Sequence, residues 1–181
     1  MKINSNITVR EVKNDDELKE FVMFPHKLYK DSKYWVAPII KEELEVLNKE
    51  NNPVFKNADA HYFLAFINGE IVGRIAALIN WVEVNDLKKK KVRFGWFDFV
   101  DNKEVSKSLL NEVVKIGNDN NLEFIEGPVG FSNMDKAGML IKGFEKKNTM
   151  ITLYNHSYYK DHMIAHGYRK LAEWVEYELS L

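Results

Sequence analysis

The sequence YFLAFINGEIVGRIAALI, residues 62–79, decides the fold of this chain. It contains two apolar runs of residues that favour β-strands, 62–67 and 71–79, joined by Asn68-Gly69. An Asn-Gly pair tolerates the positive φ angles of a type I′ turn, whose twist matches that of the strands it connects. The pattern therefore predicts a β-hairpin.

A third strand is predicted at residues 92–100, after a polar connection rich in lysine. Both of its faces are largely apolar, with Phe94 and Trp96 on one and Phe97 and Phe99 on the other. A strand that is apolar on both faces is typical of the centre of a sheet covered by helices. We therefore expect this strand to lie inside the sheet.

Helices and further strands are predicted on both sides of these three strands. Alternation indicates a strand at 7–12, Asn14 offers an N-cap to the helix after it, and an amphipathic helix is expected at 103–117. The other predicted elements are a helix starting near Pro38, short strands at 122–125 and 151–154, a helix at 158–166 and a closing strand at 171–179. This order predicts an α/β (α+β) fold with a mixed, mostly antiparallel central sheet and helices on both faces.

The predicted order resembles that of the GNAT superfamily of N-acetyltransferases over nearly the whole chain. Several blocks are also similar to those of a poorly characterised group of bacterial GNAT-like proteins: GRIAA at 73–77, Gly127-Pro128 with Phe131-Ser132, LIKGF at 140–144, and Tyr154-Asn155 with Tyr158-Tyr159. The resemblance implies a single GNAT-like domain over residues 1–181. Because members of that group are often about double this length, it also favours an amino-terminal half of a longer protein.

The resemblance implies a binding site for acetyl-CoA or another acyl-CoA as co-substrate. In GNAT enzymes, pantetheine lies where the strand before the central helix splays from its neighbour, and a glycine-rich turn presents backbone amides to the pyrophosphate. The matching turn here, 101–106, reads DNKEVS and lacks those glycines. The candidate cofactor-binding residues are Phe99, Val100, Asn102, Lys103, Val105, Ser106 and Lys107.

The same turn has a second interpretation. Asp101 precedes Glu104 by three residues, the spacing of a capping box, and the spacing favours a helix cap over a pyrophosphate loop. An acidic cap occupies amides that a phosphate needs and repels the phosphate charge, which Lys103 and Lys107 partly offset.

The resemblance also implies a tyrosine acid, which protonates the departing CoA thiolate one helical turn before a Gly-Phe pair. Here the pair is Gly167-Tyr168, and the position four residues earlier is Met163, which carries no proton to donate. Tyr159, one turn further back, is the nearest substitute and the candidate catalytic acid. A packing role for Tyr159 is the alternative.

Other candidate site residues lie outside these motifs. Asp135 follows an irregular segment and is interpreted either as a proton acceptor for an amine substrate or as a cap of the turn near Met134. Asn133, Trp35 and Trp96 are candidate substrate-binding residues, the tryptophans because aromatic rings often line clefts. His162 and His166 are interpreted as a solvated helix face, and no metal site is predicted.

Composition limits the classes of partner. Lys and Arg number 26 and Asp and Glu 27, so the net charge of −1 gives no field to hold nucleic acid or an anionic membrane. The absence of cysteine excludes disulfides, thiolate zinc sites and a cysteine nucleophile. The amino terminus lacks an apolar signal-peptide run and no apolar stretch approaches ~20 residues, so a cytoplasmic protein is expected.

The function expected from the resemblance is acyl-CoA-dependent N-acylation of an unidentified small-molecule amine. The alternative is a catalytically inactive GNAT-like binding or assembly module that has lost the CoA pyrophosphate loop. For protein partners, two alternatives stay open: a homodimer and a second domain beyond Leu181.

Overall fold

The computed structural model describes residues 6–132, 134–149, 153–177 and 179. Its sheet has five strands in the spatial order β1-β2-β3-β4-β5, antiparallel from β1 to β4 and parallel between β4 and β5. The strands are β1 Ile7–Glu11, β2 Ala58–Ile67, β3 Glu70–Asn80, β4 Lys91–Phe99 and β5 Phe124–Glu126. The predicted mixed, mostly antiparallel sheet is confirmed.

The β2–β3 hairpin forms at the predicted turn. Asn68 and Gly69 have φ angles of 52° and 84°, so both central residues are left-handed, as a type I′ turn requires. Ile67 pairs with Glu70 across this two-residue loop. The turn therefore sets the register, and β2 and β3 send alternate side chains to opposite faces of the sheet.

Helices cover both faces of the sheet, as predicted. On one face, Val105, Leu109 and Val113 of α4 are fully buried in a core that includes alternate residues of β2 and β3. On the other face, Phe21 and Val22 of α1 join a second core. The helices are α1 Asp15–Leu28, α2 Ile40–Leu47, α3 Trp81–Asn85, α4 Lys103–Asp119 and α5 Tyr159–Ala165, with a 3₁₀ turn at Pro53–Lys56.

Two predicted strands are not found among the described residues. The closing strand expected at 171–179 is absent from 171–177, where Trp174 and Tyr177 are exposed. A strand needs a neighbour to accept its hydrogen bonds as well as an apolar pattern, and the pattern alone does not supply that neighbour. For the strand predicted at 151–154, residues 153 and 154 are irregular, and 151 and 152 lie outside the described residues.

Within the described ranges, every helix falls short of the length and apolar character that a membrane span requires.

Candidate functional site

Strand β5 is much shorter than β4 and accompanies only its first residues. They pair only from Lys91 to Arg93 of β4, although β4 continues to Phe99. After β5, the Val129 amide still donates to the Phe94 carbonyl at 2.8 Å, and no described strand pairs with the end of β4 on this side. The end of β4, to Phe99, therefore lacks a described strand neighbour on this side, and the splay implied by the GNAT resemblance stays a prediction.

A β-bulge changes the direction of β4 just before this end. Arg74 of β3 pairs with Asp98, but Ala76 pairs with Gly95, so two residues of β4 oppose one of β3. Trp96, in the bulge, has a φ of 45°, which is an unfavourable backbone conformation for a bulky residue. Bulges of this kind re-aim side chains and are frequent beside functional sites.

Two tyrosines of the α5 region occupy the gap beside the end of β4. The Tyr158 phenol donates to the Phe99 carbonyl, and the Phe99 amide donates to the Tyr159 phenol at 3.1 Å. The Tyr159 ring also stacks on the Phe99 ring, with 4.2 Å between centroids. Both main-chain polar groups of Phe99 are therefore satisfied by α5 side chains.

Tyr159 belongs to a buried hydrogen-bonded chain. Its phenol lies 2.8 Å from the Tyr29 phenol, which lies 2.7 Å from the Asp98 carboxylate. A phenol has one proton, and the carboxylate is the stronger acceptor, so Tyr29 donates to Asp98 and Tyr159 donates to Tyr29. Arg74 pairs with Asp98 at 2.7 Å and also donates to the Phe21 carbonyl.

This environment keeps both phenols protonated. Burial raises the pKa of Tyr159 well above its ordinary value, and the nearby Asp98 carboxylate raises it further. Burial and Asp98 raise the pKa of Tyr29 in the same direction. Tyr159 therefore retains a proton at neutral pH, as an acid must before its reaction.

The turn between β4 and α4 is capped differently from the prediction. Asn102 is the N-cap and accepts from the Glu104 amide at 3.0 Å, so the expectation that Asp101 caps the helix is wrong. Asp101 instead accepts from His162 Nε2 at 2.9 Å. The three-residue spacing showed only that Asp101 is able to cap α4. In the fold, its carboxylate instead bonds to His162 of α5, which is distant in sequence.

His162 is also placed differently from the prediction. It is 1% exposed rather than on a solvated face, and its Nδ1 lies 2.8 Å from Ser106 Oγ. His166 Nε2 lies 2.8 Å from the same hydroxyl. The same hydroxyl also donates to the Lys103 carbonyl at 3.1 Å. These bonds tie the first turn of α4 to α5, and the fully buried Ser106 is not accessible as a nucleophile.

The capping arrangement gives a stability prediction. Asn102→Ala removes the acceptor of the Glu104 amide and should lower the free energy of unfolding by about 0.5–2 kcal/mol in urea titrations. Asp101→Ala is the matched control, and we expect a smaller loss because the Asp101 side chain is 68% exposed, so its bond to His162 is screened by solvent. The larger loss in Asp101→Ala would contradict this assignment.

The remaining predicted residues differ in their exposure and contacts. Lys103 and Lys107 are exposed, whereas Phe99 and Val105 are fully buried. Asp135 is exposed and accepts from the Ser132 amide at 2.7 Å, so its carboxylate closes a local turn. Asn133 lies outside the described residues.

Both predicted tryptophans lie on the α1–α2 side of β4. The Trp96 indole donates to Glu43 of α2 at 2.7 Å. Trp35 packs against Tyr29 and His26, at 5.4 and 5.1 Å between ring centroids. No described contact joins the two tryptophan rings. Each ring contacts a residue of the helices that cover this face of the sheet.

Three residues of the site, Tyr29, Arg74 and Asp98, are not among the residues predicted from the sequence, and a fourth, His162, was predicted to face solvent. Arg74 and Asp98 did carry a signal, because a charged residue within an apolar strand must be paired if it is buried. For Tyr29 and His162, the sequence pattern contained no such signal beyond the residue type itself. Among the described residues, no group of three or more His, Asp or Glu is arranged to hold a metal ion.

Comparison with known proteins adds to this geometry. No family model matches the chain. It is 29% identical over 172 residues to Protein YghO of Escherichia coli (strain K12), covering 93% of this chain and 44% of that protein. It is 26% identical over 176 residues to the bacterial ceramide synthase of Caulobacter vibrioides, covering 97% and 46%. The chain thus spans about half the length of these curated relatives.

Solved structures show the fold. AAC(6')-Iy, in complex with a CoA bisubstrate analogue, superposes with a TM-score of 0.59 at 13% identity, covering 98% of this chain and all of that one. A predicted acetyltransferase from Clostridium acetobutylicum, with acetyl-CoA, gives 0.58 at 14% identity and 96% coverage of both chains. With its mostly antiparallel sheet and its helices on both faces, this chain has the fold of the GNAT acetyltransferases.

Proposed function

We propose that this chain is an acyl-CoA-dependent N-acyltransferase domain that acts on an amine. The observation that carries the proposal is the hydrogen bond from the Phe99 amide to the Tyr159 phenol, 3.1 Å long. This bond holds the Tyr159 phenol beside the end of β4, and in the proposal the thioester binds next to it. Tyr159 is accordingly the proposed acid.

In this proposal, the pantetheine arm competes with Tyr158 for the Phe99 carbonyl. An amide of pantetheine can donate to that carbonyl in place of the Tyr158 phenol. The exposed Lys103 and Lys107, on the first turn of α4, would attract the pyrophosphate even though the turn lacks glycines. Binding therefore requires Tyr158 to move, whereas Tyr159 stays in place.

The chemistry follows from the resting hydrogen bonds. An amine attacks the thioester carbonyl, and a main-chain amide of β4 stabilises the charge that develops on its oxygen. As the C–S bond breaks, the Tyr159 hydroxyl turns from Tyr29 to the thiolate and transfers its proton. The Phe99 amide already donates to the phenol oxygen and so stabilises the phenolate that forms.

The relatives support an amine as the acceptor. A ceramide is an N-acylated amine, and one relative is named a bacterial ceramide synthase. AAC(6')-Iy was solved with a CoA analogue joined to acetylneamine. Both names are consistent with amide formation on this fold, although the acceptors named there belong to those proteins.

A non-catalytic module is the second candidate. The observation that favours it is that side chains already satisfy both polar groups of Phe99, while Asn102 caps α4. If this arrangement never opens, acyl-CoA has no place to bind. The two candidates therefore differ in whether the chain binds acyl-CoA.

Calorimetric and thermal-shift titrations with acetyl-CoA distinguish them. Acetyl-CoA at 100 times its Kd should stabilise the fold by ~2.7 kcal/mol. The charge reversal K103E/K107E should weaken binding by about tenfold or more, because both charges would then repel the pyrophosphate. The matched control K88E/K89E reverses two exposed lysines in the loop before β4 and should leave the affinity unchanged. Absence of binding at millimolar acetyl-CoA would overturn the acyltransferase proposal and favour the module.

A further inference from the structure

His26, in the last turn of α1, carries an unpaired buried atom. Its Nε2 is shielded from solvent and has no hydrogen-bond partner among the described residues. Buried polar side-chain atoms are nearly always paired, so an exception requires an explanation. His26 lies three residues before Tyr29 and therefore on the same side of the chain as the phenol that contacts Tyr159.

The side chains around His26 come from three different segments. The Trp35 ring packs edge-on against the imidazole, with 5.1 Å between centroids. Glu43 of α2 lies close enough to act on His26 electrostatically, and it accepts the Trp96 indole proton from the β4 bulge. A carboxylate has about four acceptor positions, of which the indole takes one. An imidazole, a carboxylate and two aromatic rings therefore lie near the bulge.

The electrostatic environment keeps His26 neutral. Burial lowers its pKa, the Arg74 guanidinium lowers it further, and Glu43 opposes the shift. A neutral imidazole with an unpaired nitrogen is able to accept a proton. In contrast, Asp98 is paired with Arg74 and Tyr29, and Asp135 closes a surface turn.

We propose that His26 is the base that removes a proton from the acceptor ammonium, and that Glu43 with Trp35 and Trp96 selects a primary amine on an apolar chain. The proposal rests on the proposed acyltransferase function. A carboxylate beside aromatic faces suits an ammonium group, and the rings suit the apolar body attached to it. Because Nε2 is shielded, a neighbouring group must move to admit the amine, and in this proposal it is Trp35, which packs edge-on against the imidazole from a segment without helix or strand.

Each proton that moves in the proposed reaction has a donor and an acceptor. The ammonium gives one proton to His26 Nε2, and the neutral amine forms the C–N bond as the C–S bond of the thioester breaks. The thiolate takes the Tyr159 proton and leaves as the thiol. The second proton on nitrogen, lost as the amide forms, returns Tyr159 to its neutral state, and His26 releases its proton to water.

The test compares two acceptors in acetyl-CoA turnover. A primary alkylamine, n-octylamine, is protonated at neutral pH and needs the base, whereas hydroxylamine is largely neutral and does not. His26→Gln should lower kcat/KM for n-octylamine about 10²-fold and change it only a few-fold for hydroxylamine. Glu43→Gln should raise the KM for n-octylamine about tenfold and leave that for hydroxylamine unchanged. His61→Gln, which removes a histidine paired with Glu11, is the matched control with normal turnover.

The outcomes separate this inference from the function on which it rests. Turnover by the unchanged protein, with equal losses for both acceptors in His26→Gln, would overturn the role of His26 alone, because a structural role affects both amines. An unchanged turnover of n-octylamine in His26→Gln would also overturn the role of His26 alone. Absence of turnover with both amines would overturn the proposed function together with this inference.

Discussion

Replacing Arg74 by methionine is expected to lower the free energy of unfolding by about 3–5 kcal/mol, measured by urea denaturation. The Arg74 and Asp98 side chains are only 7% and 13% exposed, and the guanidinium is the cation paired with this carboxylate. Methionine fills a similar volume but leaves the Asp98 charge without its cation in a buried site. Most of the loss comes from that uncompensated charge rather than from lost packing.

The double variant R74M/D98N is the control for this interpretation. Asparagine keeps an acceptor for the Tyr29 phenol but carries no charge, so the double variant should recover a large part of the stability lost in R74M. Equal losses in the two variants would show that shape, and not charge, explains the effect. A loss below about 1 kcal/mol in R74M would contradict the buried pair itself.

Tyr159→Phe is expected to lower kcat for acyl transfer about 10³-fold while leaving the KM for acetyl-CoA nearly unchanged. The substitution removes the proposed acid and keeps the ring that stacks on Phe99. The measurement is steady-state release of free CoA with a fixed amine. Circular dichroism and the melting temperature establish that the variant folds.

Tyr158→Phe is the matched control one residue away. It removes the competing donor to the Phe99 carbonyl, so acetyl-CoA should bind at least as tightly and kcat should stay near that of the unchanged protein. Equal falls in kcat for both variants would contradict the separate roles of Tyr158 and Tyr159. An unchanged kcat in Tyr159→Phe would contradict Tyr159 as the acid.

Features that depend only on residues adjacent in sequence were predictable. Asn68-Gly69 requires only its own φ angles to form the hairpin turn, and the alternating residues on either side then set the two faces. The same kind of local reasoning was wrong at Asp101. Two adjacent residues, Asp101 and Asn102, were both able to cap α4, and the choice depended on His162, 61 residues further along the chain.

The interior of the site depends on contacts that no local pattern contains. Tyr29 and Tyr159 are separated by 130 residues, and their hydrogen bond exists only because α1 and α5 both reach the end of β4. The sequence and the GNAT resemblance pointed to Tyr159 through its helical spacing from Gly167. They did not point to Tyr29, because a tyrosine near the end of an amphipathic helix has the same pattern whether it packs or relays a proton.

The most direct test of the account is an NMR titration of ¹⁵N-labelled protein with acetyl-CoA. In the proposed complex, acyl-CoA occupies the gap at the end of β4 and replaces Tyr158 on the Phe99 carbonyl. We expect saturable shifts of the Phe99 amide and of the amides from Lys103 to Ser106, with one common Kd. Saturable binding that leaves these amides unshifted, or no binding at millimolar acetyl-CoA, would contradict the claim.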